Sequence, residues 1–568
     1  MMERIAWHFS SLTEALDCAA DSAAGASFYS PRGELSDKLS WSALRIRAIA
    51  TAQRLTDAGF VHGDRLGLIA ETSADFLVVF YACQYAGIIP CPLPFTLYPG
   101  GKIPYEQRLA KLLAAAEVSA IISPSAIEAC ALVAANSASQ LNGRSVRALS
   151  YTALEQCAAD RNAALPQANP IAYIQYSSGS TAEPKGVVIT QQAVCANVQG
   201  ILQHGLQLRP SDRAFSWLPF YHDMGLVGFV IAPLFAQCNI DYLSPSAFAR
   251  NPTLWLSLMS ANRSTITYAP GFGYQLAARR FKPEGQSLNL SCLRVAGIGG
   301  DMIHSAMLEE CATLLAPTGF QRSAFQPGYG MAEAVLSICL GDLDGGIRVD
   351  HSGPDGRAYV ICGRSLPGIE LLIVDEAGES LPERTLGEIW VRGANVMRGY
   401  FNNEAATQAV MRKDGFMATG DLGYCVDGQL VVTGRAKDLI LLRGRNIWPQ
   451  DVEWAVEQIS PLKSGTTAAI GVEMAGEERL LLLVQSGVAE GERAALTQKI
   501  ATVLGETLGV SAQIVFVPPR SLPFTSSGKI ARSQARQAFL AGDYAAALPV
   551  DLPCSSTADF DGAQFTLP

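Results

Sequence analysis

The sequence contains few charged residues and no cluster of basic ones. Of its 568 residues, 17% are charged and 49% are hydrophobic, and the formal net charge is −9. The large hydrophobic share indicates a well-packed globular protein and argues against a disordered chain. An acidic chain without runs of lysine or arginine is poorly suited to binding nucleic acid or an anionic membrane surface. We therefore expect no nucleic-acid partner.

Long apolar runs are also missing. The first residues, MMERIAWHFSSLTEALDCAAD, lack the apolar core of a signal peptide. Apolar stretches such as FVIAPLFA at 229–236 are far shorter than a membrane span, so we expect no stable membrane insertion. Such stretches predict buried strands or helices, and the walls of an apolar ligand pocket would use the same residues.

Cysteine pairs with the spacing of a metal or redox motif do not occur. The thirteen cysteines are scattered from Cys18 to Cys554, and none belongs to a C-x-x-C motif. The odd number and the spacing argue against a zinc site and a disulfide framework, and they favour a cytoplasmic protein. With six histidines, no Ser-His-Asp or Cys-His set is recognisable, and no internal repeat is found.

The order of the predicted elements indicates an α/β fold with a second, smaller domain. Up to about residue 170, amphipathic helices such as LSWSALRIRAIATAQRLTDAGF alternate with short buried strands such as DRLGLIA and SAIISP, which predicts a parallel sheet. Beyond about residue 360, IELLIV, GEIWVRG and QLVVTGR predict an antiparallel or barrel-like sheet. From Lys437 onward a compact α+β unit is predicted. We therefore expect domains at 1–436 and 437–544 and a flexible tail at 545–568.

One stretch, YIQYSSGSTAEPKG at 173–186, has the composition of an anion-binding loop. It is not a Walker P-loop, because the required spacing before Gly-Lys-Ser/Thr is absent. Consecutive small residues nevertheless let backbone N–H groups converge on an anion, and Lys185 adds a positive charge. A plain turn has a similar composition, so this loop alone does not decide the matter.

Four further stretches could complete a nucleotide site. In GYGMAEA, Tyr329 could stack on a base and Glu333 could hold Mg²⁺, or the stretch could form a turn that leads into a helix. In TGDLGY, Asp421 could accept two ribose hydroxyls or close an Asx-turn. GRAKD offers Arg435, and TSSGKIAR near the chain end offers Lys529, which could also be a solvated surface lysine.

In this order the five stretches resemble the motifs of the adenylate-forming superfamily, which includes acyl-CoA synthetases, luciferases and nonribosomal peptide adenylation domains. The resemblance covers roughly residues 10–540. SWLPFYHDMGLVG (216–228) and LLRGRNIWPQDVE (441–453) look most like fatty acyl-AMP ligases. The resemblance implies a large N-terminal domain, built from two stacked αβ subdomains and a small β-barrel, and a mobile α+β lid.

The resemblance also implies a role for each motif residue. It assigns the ATP β- and γ-phosphates to Ser177, Ser178, Gly179, Ser180, Thr181 and Lys185. It places adenine near Gly299, Gly300, Tyr329, Gly330 and Met331, the ribose near Asp421 and Arg435, and Mg²⁺ near Glu333. It makes Lys529 the lysine between the substrate carboxylate and the α-phosphate, Lys437 the hinge of the lid, and His222 a neighbour of the acyl carboxylate.

The implied reaction is the ATP-dependent activation of a medium- or long-chain fatty acid, followed by transfer to an acyl carrier protein. Because a carboxylate is already ionised at neutral pH, this chemistry requires no general base. The segment between Glu333 and ICGRSLPG is shorter than the insertion usual in fatty acyl-AMP ligases, which leaves CoA open as the acceptor. A non-catalytic acyl- or nucleotide-binding protein on the same fold also remains open.

Overall fold

The computed structural model describes ten ranges of the chain. They are 8–95, 101–156, 167–177, 184–282, 288–354, 356–442, 445–463, 465–474, 477–525 and 529–544. Within these ranges the chain divides into two units, the first ending at Ala436 and the second beginning at Lys437. The predicted tail at 545–568 lies outside the described residues.

Near the N-terminus of the first unit, four parallel strands form one sheet. Their order across the sheet is Ile89–Leu93, Arg65–Ile69, Ala120–Ser123 and Arg147–Ser150. Helices connect these strands, which confirms the predicted alternation. The helix Trp41–Asp57 begins where the Ser40 hydroxyl accepts a hydrogen bond from the Ala43 N–H, and the chain leaves it at Gly59, whose φ is +86°.

A second, larger sheet changes from parallel to antiparallel pairing along its length. Its parallel strands lie in the order Gly25–Tyr29, Asn239–Leu243, Arg213–Ser216, Ile266–Ala269, Val295–Ile298 and Phe325–Gly330, with Leu35–Ser40 antiparallel at the edge. Its antiparallel strands continue in the order Ser337–Leu340, Tyr359–Ser365, Gln429–Arg435, Met417–Val426, Gly387–Gly393 and Ile369–Val374, and Val349–Asp350 pairs with Tyr359–Ser365.

The strand Phe325–Gly330 lies at this change of direction. It pairs in parallel with Val295–Ile298 on one side and antiparallel with Ser337–Leu340 on the other. In open α/β sheets, ligands bind beyond the carboxyl ends of parallel strands where the topology changes. The end of this strand is therefore the place to look for a ligand site.

A third sheet of the first unit has three antiparallel strands, Ile171–Ser177, Lys185–Thr190 and Gly399–Tyr400. The helices of this unit follow the strands in chain order and are Leu12–Ala19, Trp41–Asp57, Ala74–Tyr85, Lys102–Ala115, Glu128–Asn142, Tyr151–Gln156, Gln191–Gly200, Asp223–Gly225, Ala232–Phe235, Pro245–Arg250, Thr253–Asn262, Gly271–Arg280, Ser305–Leu315 and Glu404–Val410. Two segments, Ile201–Gly205 and Leu226–Ile231, are π-helical.

The second unit has its own hydrophobic core and the predicted α+β elements. Its strands are Ile440–Leu442, Arg445–Ile447, Thr467–Met474, Glu477–Gln485 and Gln513–Val517, and its helices are Pro449–Glu457, Glu490–Leu508 and Arg532–Leu540. The core includes Val452, Leu482, Ile500 and Leu504. Among the described helices of either unit, none is long and apolar enough to cross a bilayer.

Candidate active site

Four predicted adenine-binding residues lie at the carboxyl ends of two adjacent parallel strands. Gly299 and Gly300 directly follow the strand Val295–Ile298, and Tyr329 and Gly330 end the neighbouring strand. These positions are 30 residues apart in sequence, and the parallel pairing brings them to one edge of the sheet. All four residues line the same cavity.

Two of these positions require glycine for steric reasons. A Cβ atom on Gly330 would lie 1.7 Å from the carbonyl oxygen of Leu336, which belongs to the backbone and cannot swing away. Gly300 has a φ of +79°, and a Cβ atom there would lie 2.9 Å from Cε of Met224. The glycines therefore keep the cavity wall thin where the two strands end.

A hydrogen-bonded group joins Tyr329 to the predicted ribose-binding residues. The Tyr329 hydroxyl donates to Oδ2 of Asp421 at 2.7 Å, and Nε of Arg435 lies 3.2 Å from the other carboxylate oxygen. Asp421 and Arg435 are direct partners across two antiparallel strands. Burial and then the charge of Asp421 raise the pKa of Tyr329 well above its usual value, so the phenol stays protonated and donates.

The predicted metal-binding and phosphate-binding residues are connected through a residue that the sequence analysis did not single out. Glu333 lies in the 3₁₀ turn Ala332–Ala334, and its Oε1 accepts a hydrogen bond of 2.8 Å from the Tyr400 hydroxyl. The ammonium group of Lys185 lies 5.0 Å from the centroid of the Tyr400 ring. Tyr400 thus contacts both side chains.

His222 adjoins the cavity through its neighbour in sequence. Its Nδ1 lies 2.5 Å from Oδ1 of Asp223, and Asp223 lines the cavity. Oδ1 of Asp223 also accepts a hydrogen bond of 2.7 Å from the Met224 N–H. The prediction drew attention to His222, whereas the structure adds the adjacent carboxylate, which FYHDMG placed beside it in plain view.

The cavity has a volume of about 850 Å³ and extends from the glycine-rich strand ends into an apolar region. Its apolar lining comes largely from the two π-helical segments and the residues that follow them. These residues are Ile201, Leu202, Leu206, Leu208, Phe229, Ala232, Pro233, Ala236 and Cys238. Such π-helical turns occur frequently at functional sites. The shape and lining suit a ligand with a polar head and an apolar tail.

A polar network supports one wall of this cavity. The hydroxyl of Tyr268, a lining residue, donates to Oε1 of Gln326 at 2.5 Å. Nε2 of Gln326 donates in turn to the carbonyl oxygens of Gly205 and Gly341 at 2.9 and 2.8 Å. Because Gly205 ends a π-helical segment, buried Gln326 fixes that segment against the strand that carries Tyr329.

Other predicted residues are placed less completely. Ser177 ends the strand Ile171–Ser177, while Ser178, Gly179, Ser180 and Thr181 lie outside the described residues. Met331 directly follows the strand of Tyr329. Lys437 and Lys529 belong to the second unit. There the Lys529 carbonyl accepts a hydrogen bond of 2.7 Å from the Thr525 N–H. The roles of all these residues stay predictions.

The carboxylates of the site suit a metal that is bound partly by its substrate. Within the described residues, no group of three or more His, Cys, Asp or Glu side chains could hold a metal ion by itself. Mg²⁺ is usually held by one or two protein carboxylates together with phosphate oxygens and water. A single oriented carboxylate such as Glu333 fits this mode of binding.

Comparison with known proteins places the chain among enzymes that use adenylates. The model of the AMP-binding enzyme family matches residues 20–401. A Caulobacter vibrioides protein provisionally named an acyl-CoA synthetase is 41% identical over 94% of this chain and 96% of its own length. The medium-chain-fatty-acid–[acyl-carrier-protein] ligase TtuA of Teredinibacter turnerae is 34% identical over 65% of this chain and 64% of its own length.

A solved structure matches nearly the whole fold. It comes from a study of fatty acyl-adenylate ligases of E. coli and L. pneumophila, and it is 40% identical to this chain with a TM-score of 0.89. The match covers 96% of this chain and all of that one. The predicted α/β architecture is thereby confirmed.

Proposed function

The chain belongs to the AMP-binding enzyme family, and from this membership we propose that it activates a medium- or long-chain fatty acid with ATP. The products of this step are an acyl-adenylate and pyrophosphate, and the acyl group then passes to the phosphopantetheine thiol of an acyl carrier protein. The main support is the continuous cavity, which touches Gly299, Gly300, Tyr329 and Gly330 at one end and has apolar walls at the other.

We assign the nucleoside to the strand ends around Tyr329. Its ring offers a face for adenine, and Asp421 offers carboxylate oxygens for ribose hydroxyls. The side chain of Asp421 is 9% exposed and is oriented by two partners, Tyr329 and Arg435. Because a carboxylate held in place loses little freedom on binding, this arrangement favours recognition of a diol.

In the proposed reaction, an oxygen of the fatty acid carboxylate attacks the α-phosphorus of ATP. The new O–P bond forms while the bond to the pyrophosphate oxygen breaks, so pyrophosphate departs with the electron pair. Negative charge builds up around phosphorus, and Lys529 and Lys185 supply positive charge to stabilise it. Mg²⁺, when bound at Glu333, supplies further charge stabilisation to the phosphate oxygens. Attack of the carrier thiol on the acyl carbon then releases AMP.

The apolar lining supports a fatty acid as the substrate. The relative from Teredinibacter acts on medium-chain fatty acids and an acyl carrier protein, and the matched structure belongs to a study of fatty acyl-adenylate ligases. An amino acid would need a partner for its ammonium group at the polar end of the cavity. The apolar walls instead offer contact to an alkyl chain along the two π-helical segments.

Fatty-acid-dependent exchange of labelled pyrophosphate into ATP tests the first step directly. We expect exchange with alkyl acids and not with amino acids. Lys529→Ala should lower the exchange rate by about 100- to 1,000-fold, by analogy with the loss of one transition-state donor, while ATP still binds. Lys499→Ala, which removes an exposed lysine from the helix Glu490–Leu508, is the matched control. Near-normal exchange by Lys529→Ala would refute the role of Lys529.

The acceptor distinguishes this proposal from a second candidate, a fatty acyl-CoA ligase. The name of the Caulobacter relative favours CoA, whereas the Teredinibacter relative favours a carrier protein. Parallel assays with CoA and with a phosphopantetheinylated carrier protein should show thioester formation on the carrier. Rapid and exclusive formation of acyl-CoA would instead support the second candidate.

A further inference from the structure

Tyr400 is held in place by its main chain on two sides. It belongs to the short strand Gly399–Tyr400, which pairs antiparallel with the strand that begins at Lys185. The next residue continues this contact, because the Phe401 N–H donates to the Gly186 carbonyl at 2.7 Å. The Tyr400 N–H donates to the Thr407 hydroxyl at 2.9 Å. The position of the ring is therefore set by the sheet.

The same segment also contacts Glu333 twice. The Met397 N–H donates to the Glu333 carbonyl at 2.8 Å, and the Tyr400 hydroxyl donates to the Glu333 carboxylate at 2.8 Å. Both the backbone and the side chain of Glu333 are thus fixed by one neighbouring strand. Burial, followed by the charge of Glu333, raises the pKa of Tyr400, so the hydroxyl keeps its proton at neutral pH.

The ring of Tyr400 provides a second interaction through its face. The ammonium group of Lys185 lies 5.0 Å from the ring centroid, within the range of a cation–π contact. A flexible lysine side chain loses conformational freedom in such a contact. Tyr400 therefore restricts a carboxylate through its hydroxyl and an ammonium group through its ring.

We propose that Tyr400 is a positioning residue for Mg²⁺-bound ATP, orienting the Glu333 carboxylate through its hydroxyl and the Lys185 ammonium group through its ring. This inference rests on the proposed function, because it takes Glu333 and Lys185 as the residues that meet the metal and the phosphates. Mg²⁺ demands nearly ideal octahedral geometry, so a carboxylate that ligates it gains from a fixed orientation. Hydrogen-bond partners of metal ligands commonly have this effect.

A purely structural role for Tyr400 predicts a different result. Tyr400 packs against the main hydrophobic core, so its loss could simply destabilise the first unit. Such a loss would lower stability without changing how strongly Mg²⁺ enhances ATP binding. The Mg²⁺-dependent gain in ATP affinity therefore separates the two roles, and it is measured without turnover.

Calorimetric titration of ATP into the full chain, without fatty acid, provides this readout in EDTA and in excess Mg²⁺. Tyr400→Phe removes the hydroxyl and keeps the ring, so affinity in EDTA should stay unchanged while the Mg²⁺-dependent gain falls by about 10- to 100-fold. Tyr400→Leu removes the ring as well, and affinity in EDTA should also fall, by about 2- to 30-fold. Tyr85→Phe, which breaks the hydrogen bond of 2.7 Å from Tyr85 to Asp17, is the matched control and should change neither value.

A double-mutant cycle tests the pairing with Glu333 independently. Glu333→Gln should reduce the Mg²⁺-dependent gain, and adding Tyr400→Phe should reduce it no further. An undiminished gain in folded Tyr400→Phe, or the same extra loss in the Glu333→Gln background, would overturn the inference alone. Wild-type protein that does not bind ATP would overturn the proposed function together with it.

Discussion

A buried ion pair in the second unit allows a quantitative prediction. Nε and Nη2 of Arg532 donate to the two carboxylate oxygens of Glu453 at 2.8 and 2.6 Å. The Glu453 side chain is 6% exposed and that of Arg532 is 23% exposed. Oε1 of Glu453 also accepts a hydrogen bond of 3.0 Å from the Ala469 N–H. Glu453 therefore links the helix Pro449–Glu457 to a central strand and to the last helix.

Replacing Arg532 with Met leaves the Glu453 carboxylate buried without its positive partner. Removing one partner of a fully buried pair costs about 3–5 kcal/mol of stability. We expect about 2–3 kcal/mol here, because Arg532 is partly exposed and the Ala469 N–H remains as a donor. Glu453→Gln should cost about 1–2 kcal/mol, since the amide oxygen still accepts that hydrogen bond. The double variant should cost about 1–2 kcal/mol less than the sum.

Hydrogen exchange measured by mass spectrometry on the full chain provides the assay. Exchange of the core strands Thr467–Met474 and Glu477–Gln485 reports the unfolding free energy of the second unit. The strand Val295–Ile298 in the first unit serves as the internal control and should not change. Additive effects within about 0.5 kcal/mol, or unchanged exchange in Arg532→Met, would refute the reasoning.

Two further predictions concern pH and substrate length. Burial, and then the charge of Glu453, raises the pKa of Glu457 from 4.5 to about 7. Because the folded state then binds the extra proton, the second unit should lose about 2–3 kcal/mol of stability as pH rises from 4.5 to 7. Urea unfolding at pH 5 and pH 8 should show this loss in the wild type and a smaller one in Glu457→Gln. In the cavity, a Cβ atom on Gly228 would lie 3.5 Å from Leu336, so the backbone tolerates Gly228→Leu, whose side chain would then occupy the cavity. Its kcat/KM for long acids should fall at least about 10-fold relative to short acids, and an unchanged chain-length profile would contradict the proposed alkyl site.

The local elements of the fold could be predicted because their signals lie within short stretches. The helix Trp41–Asp57 has an amphipathic pattern with a serine before it and a glycine after it. The order of the strands could not be predicted in the same way. The strand Gly25–Tyr29 pairs with Asn239–Leu243, more than 200 residues away, and neither stretch contains a signal for the other. Such pairings depend on the packing of the whole unit.

The candidate site shows the same division between local and distant information. Gly330 and Asp421 stood out because glycine and aspartate in short turns have few alternative roles. Tyr400 did not stand out, because RGYFN reads as an ordinary strand end, and its partner Glu333 lies 67 residues earlier. Asp223 was passed over for the histidine beside it. A residue that acts by holding another becomes visible only when both are placed in space.

The pairing of Asp421 with Arg435 depends on a feature that no local pattern announces. Their strands are joined by the two-residue turn Asp427–Gly428, whose positive φ angles of 51° and 69° suit a tight hairpin, so Val426 pairs with Gln429 and Gly423 with Val432. Continued without interruption, that register would place Gly434 opposite Asp421. A bulge between Leu422 and Gly423 instead inserts one extra residue, Thr433, into the opposite strand, and Arg435 becomes the partner of Asp421. Since a slip of one residue turns a side chain to the other face of a sheet, the bulge is what brings the guanidinium to the carboxylate.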